Sequence, residues 1–91
     1  MSDLDRVPTP AAGLFVRELD GETSIITAAG DQLHTLDEMG TFIWQRIDGR
    51  TPLAAIADAI CAEYDAPRET AAADLAAFVG QLAERGIVTL G

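Results

Sequence analysis

From Gly13 onward, apolar and polar positions come in short β-prone runs: Leu14-Phe15-Val16-Arg17-Glu18-Leu19, then Asp20-Gly21, then Glu22-Thr23-Ser24-Ile25-Ile26-Thr27. Two such runs flanking Asp-Gly predict a hairpin, because a type I′ turn needs positive φ at both central residues. A two-residue loop also sets the register, with Val16 opposite Ile25 and Phe15 opposite Ile26, so apolar side chains fall on both faces of the ribbon. Such a hairpin needs a further partner. A second turn at Ala28-Ala29-Gly30-Asp31 leads into Gln32-Leu33-His34-Thr35-Leu36, a predicted third strand.

The period then lengthens. Met39, Phe42, Ile43 and Ile47 form one apolar stripe of a helix, with Asp37 as N-cap, Glu38 in the first turn and Asp48-Gly49 as the stop. Thr51 and Pro52 are placed as N-cap and first position of a second helix, whose apolar face is Leu53, Ile56, Ile60 and Tyr64 and whose end is Asp65. Pro67 opens the longest helix, striped by Leu75, Phe78, Val79 and Leu82, and Gly86 after Arg85 is its C′ stop. The tail Ile87-Val88-Thr89-Leu90 either pairs as a strand or packs. Residues 1–12, with Pro8 and Pro10 and no period, are expected to be a flexible lead-in to a domain spanning 13–91. Three strands followed by three helices make an α+β domain with a three-stranded antiparallel sheet and a winged helix-turn-helix-like order.

Composition narrows what such a domain does. The chain has 91 residues, 15 acids against six basic residues that are all arginine, and a net charge of −9. That length suits one domain. A phosphate backbone or an anionic membrane surface requires clustered cations, so neither is an expected partner. No apolar run approaches a membrane span and the start lacks a secretory pattern, so the expected location is the cytoplasm. The single Cys61 excludes an internal disulfide framework and is expected to be a small buried hydrophobe on the second helix. His34 stands alone, the carboxylates have no metal-loop spacing and the glycines are scattered, so the chain is read as a non-enzyme with no cofactor and no metal. The helix pair 51–64 and 67–85 has the topology of a DNA-binding unit, yet residues 51–86 hold two arginines against six acids, a net of −4. Such a surface repels phosphate. A winged-helix DNA-binding regulator and a structural or oligomerising module stand as the alternatives to a peptide binder, and the chain is expected to be a monomer or weak homodimer.

The peptide reading starts from the sheet. A three-stranded sheet leaves a terminal strand with unpaired backbone groups, and the run Gln32–Leu36 is short, without proline and nearly uncharged, which suits β-augmentation by an extended peptide.

The stretch from Leu36 to Thr51, with its Ile43-Trp44 pair and Asp48-Gly49, followed by Glu63-Tyr64-Asp65, Asp74-Leu75, Phe78, Leu82 and Gly86-Ile87-Val88, resembles the PqqD-like family over about residues 13–90. The resemblance implies a winged-helix-like peptide chaperone for ribosomally made, post-translationally modified peptides. Its founding case serves pyrroloquinoline quinone biosynthesis with a radical SAM enzyme. It further implies that the precursor's leader adds as a strand along Gln32, Leu33, His34 and Thr35, in a groove against the third helix, while the core segment is presented to a modifying enzyme. On that helix Asp74, Phe78, Gln81 and Arg85 share one flank, and Ala72, Ala76 and Ala83 the other. The Phe78 flank is favoured, with Phe78 offering apolar area and Asp74 and Arg85 fixing register through charge. Trp44 is assigned to packing. The segment from Ala28 to Gln32 departs from that of close quinone-pathway members, so a lasso-type or other modified-peptide pathway fits equally.

Overall fold

The computed structural model describes residues 3–28, 30 and 32–91. From Asp3 onward, the lead-in expected to be flexible is built into the fold. After a single 3-10 turn at Asp3–Asp5, strand β1 (Pro8–Pro10) pairs antiparallel with β5 (Val88–Leu90). Val7 and Gly91 exchange hydrogen bonds at 3.4 and 3.0 Å, and Ala11 N–H donates to Ile87 O at 2.9 Å. Donors at alternate positions carry this ladder, so Pro8 and Pro10 fall where a missing N–H faces away from the partner. The carbonyls of Arg6 and Pro8 also accept from Leu53 N and Gly49 N, at 2.9 and 3.1 Å.

Strands β2 (Phe15–Leu19) and β3 (Glu22–Ile26) form the expected hairpin, with φ of 53° at Asp20 and 80° at Gly21 and with Val16 opposite Ile25 and Phe15 opposite Ile26. Strand β4 (Leu33–Leu36) pairs antiparallel with β3, giving the order β2-β3-β4. It starts one residue later than expected, leaving Gln32 outside the strand and exposed. Of the second turn, Ala29 and Asp31 lie outside the described residues, and Gly30 N–H donates to Thr27 O at 2.8 Å. Only one face of this sheet is covered. Thr23, Ile25 and Leu36 point inward and are buried, whereas Phe15, Ile26 and Leu33 form an outward row that is 74, 37 and 63% exposed.

Asp37 caps helix α1 (Glu38–Trp44), accepting from Gly40 N at 2.8 Å. This helix ends three residues before Ile47, which is nevertheless buried through the following turn. Thr51 is not the cap of α2 (Leu53–Tyr64); Pro52 holds that position. The Asp48 carboxylate claims Thr51 instead, accepting from Arg50 N, Thr51 N and Thr51 Oγ1 at 2.9, 2.8 and 3.2 Å. Asp65, with φ 52°, ends α2 as expected, and α3 (Arg68–Glu84) follows Pro67. Gly86 N donates to Ala83 O and Ile87 N to Leu82 O at 3.1 and 2.9 Å, a Schellman stop with Gly86 at φ 75°. The core lies between the inner sheet face and the helices, centred on Ile25, Ile43, Ile56, Leu75, Val79, Leu82 and Ile87. Cys61 is only partly buried against it, because its helix turns that side toward solvent. Trp44 packs on the same core, as expected.

Candidate functional site

The far side of β4 pairs with no strand among the described residues, and α3 runs beside it. Between them lies a groove of about 270 Å³, lined by Thr35, Leu36 and Asp37 on one side and by Phe78, Gln81, Leu82 and Arg85 on the other. Leu36 and Leu82 are buried and form an apolar floor, Phe78 is half-buried, and Gln81 and Arg85 stand exposed along the rim. Gly40 explains why the ring of Phe78 sits so close to the start of α1. A Cβ there would lie 3.3 Å from Phe78 Cε1 and 3.1 Å from Leu36 Cβ. A strand edge over an apolar floor, with a guanidinium and an amide beside it, can hydrogen-bond a peptide backbone and still choose among side chains.

Of the residues singled out from the sequence, Thr35, Phe78, Gln81 and Arg85 meet in this groove. Leu33 points to the outer face, and His34 points inward, half-buried, with a buried Nε2 that lacks a hydrogen-bond partner. Gln32 precedes the strand. Asp74 does not join the groove; it lies one turn earlier on α3 at the mouth of a separate apolar pocket of about 70 Å³ between α1, α2 and α3. Leu36 belongs to the run Gln32–Leu36 picked out as the strand edge, whereas Asp37 and Leu82 read as cap and core and Gly40 was assigned no role. The one available signal was a glycine inside a helical pattern, which costs helix stability unless something approaches closely.

Elsewhere, Asp20, Glu22, Asp37 and Glu38 surround an open acidic concavity beside the hairpin turn. Phe42 and Tyr64 meet edge to face at 5.2 Å, and the Arg46 guanidinium lies 3.5 Å from the Phe42 ring centroid. Burial raises the Tyr64 phenol above its ordinary 10.0, with Glu38 and Glu63 adding to the shift. No cluster of three or more His, Cys, Asp or Glu suited to a metal occurs among the described residues, and no helix there is long and apolar enough to cross a membrane.

Residues 19–88 match the family model described as coenzyme PQQ synthesis protein D. The chain belongs to the PqqD family. As a PqqD-family domain it superimposes on the solved structure of TbiB1 in complex with the TbiA(beta) leader peptide, with a TM-score of 0.82 and 28% identity over 88% of this chain and 93% of that one. A lasso peptide synthetase B1 complexed with its leader peptide shares the same PqqD-like fold, with a TM-score of 0.81 and 23% identity over 90% of this chain and 96% of that one. No match is found among curated proteins.

Proposed function

We propose that this PqqD-family chain is a non-catalytic recognition element that holds the leader of a ribosomally made precursor as an added strand on β4 and presents the remainder to a modifying enzyme. The observation that carries this reading is the free β4 edge lying along an apolar-floored groove of α3, in a fold shared with a protein solved in complex with a leader peptide. Main-chain pairing supplies sequence-tolerant affinity, while Phe78 and the floor of Leu36 and Leu82 select among inward side chains. Arg85 and Gln81 sit where they can hold a peptide carboxylate or amide. Thr35 lines the groove, and in this reading Gln32, Leu33 and His34 continue the peptide's track along the same edge. The receiving partner is a peptide-modifying enzyme of PQQ-type or another modified-peptide pathway, such as a radical SAM maturase, working in the cytoplasm where the precursor is made. The net charge of −9 favours this reading over a DNA-binding regulator.

The test is a titration of the chain with a fluorescently labelled candidate leader peptide, run alongside duplex DNA at low salt. Saturable leader binding that falls about tenfold or more in Phe78→Ala, as expected for a buried aromatic contact, supports the assignment. Salt-sensitive DNA binding without leader binding overturns it.

A further inference from the structure

We infer that the apolar pocket between α1, α2 and α3 is a second side-chain subsite for the bound peptide, taking one aliphatic residue that is flanked by a Lys or Arg facing Asp74. This rests on the peptide-binding reading above and extends the peptide's track beyond the end of β4.

The pocket is walled by Met39, Ile43, Ile60 and Leu75, of which the last three are buried, and its mouth is formed by the exposed Thr70 and Asp74. It is separate from the groove but is its neighbour along α3. Asp74 stands one turn before Phe78, and Gly40, against which the Phe78 ring packs, follows Met39 of the pocket and closely follows Asp37 of the groove. Phe78 is therefore a partition between two depressions along one helix. From Asp74 to Leu82 is roughly 12 Å at the helical rise, a span that about four residues of extended peptide cover.

The volume of about 70 Å³ limits what enters. An apolar cavity of about 150 Å³ takes a benzene ring, so half of that suits the branched end of Leu, Ile or Val and excludes an aromatic. Water gains little there, because the walls offer it no partners. Asp74 makes no ion pair among the described residues, and a chain of net charge −9 attracts a basic neighbour to that mouth. This gives an acidic receptor a local reason to prefer a peptide with a cation at one position.

The experiment starts from a displayed random-peptide library selected against the intact chain, with one selected peptide as the probe. Aligned winners should share an aliphatic residue beside Lys or Arg. Ala71, buried in the pocket wall, is then changed to Leu to fill the space. The expected result is unchanged or raised thermal stability with at least about tenfold weaker binding of the probe, and no further loss for a probe whose aliphatic residue is already Ala. Asp74→Lys, at an exposed position, should shift selection toward Asp or Glu at the flanking site, and it serves if Ala71→Leu does not fold. A filled variant that is more stable yet binds the probe with wild-type affinity shows a packing void and overturns the subsite. If that probe still loses affinity in Phe78→Ala, the groove reading survives without the subsite. A library that yields no binder, or binders indifferent to Phe78→Ala, overturns the groove reading itself.

Discussion

Replacing Thr23 and Thr41 with valine tests how the sheet is held to α1, and with it the position of the β4 edge. Both residues are buried, at 0 and 4% exposure, and Thr23 Oγ1 donates to Thr41 Oγ1 at 2.8 Å. Valine keeps the shape and removes the hydroxyl, so each single substitution leaves one buried polar group without its partner, at about 1–3 kcal/mol. Thr41→Val should be the costlier, because the hydroxyl left on Thr23 lies wholly buried on a strand, whereas a helical Thr41 can turn to the Asp37 carbonyl one turn back. For a domain of this size about 2 kcal/mol lowers Tm by roughly 8–16 °C. The double variant removes donor and acceptor together and should come close to wild type. Urea unfolding followed by circular dichroism gives all four corners of the cycle, with a constant m-value as the check on two-state behaviour. A coupling of about 1 kcal/mol or more is expected. Single effects that simply add would refute the claim that this bond joins the two elements.

Gly21→Ala should cost about 1–2 kcal/mol from backbone conformation alone, since an added Cβ meets nothing within 4 Å, and D-alanine at the same site should cost nothing. The backbone N–H groups of Arg50 and Thr51, which donate to it, hold the Asp48 carboxyl below its ordinary 3.8, so its contribution to stability is present above that pH and is lost as pH falls below it. The gap between wild type and Asp48→Ala in Tm should therefore be widest at neutral pH and close in acid; a gap that persists there contradicts the assignment. Tyr64 should ionise above 10.0 by phenolate absorbance, with Glu38→Gln lowering the midpoint. Because the folded state holds that proton longer, stability should begin to fall once pH exceeds 10.0.

Local chemistry made the hairpin legible. Asp20-Gly21 dictates both the turn and the register, and the same holds for Asp37 as a cap and for Gly86 as a stop. What depends on distant partners was not legible. Pro8 and Pro10 read as breakers until β5 supplies the period-two ladder that tolerates them. Thr51 is a sound N-cap by type, but Asp48 reaches it first. Within the site, Phe78, Gln81 and Arg85 followed from helical spacing, and Thr35 from the edge strand. The same spacing placed Asp74 with them, yet the groove sets Thr35, Leu36 and Asp37 against Phe78 to Arg85, and Asp74 lines a different pocket one turn earlier on α3. Leu82 escaped notice because a groove floor and a core have the same composition.

Strand addition on β4 is the central claim, and amide hydrogen exchange with and without bound leader measures it most directly. Leader binding should slow exchange at alternate amides of residues 33–36 and shift resonances along residues 78–85, with cross-strand contacts between peptide and β4 amides. Perturbations confined to residues 53–64, with β4 exchange unchanged, would contradict it.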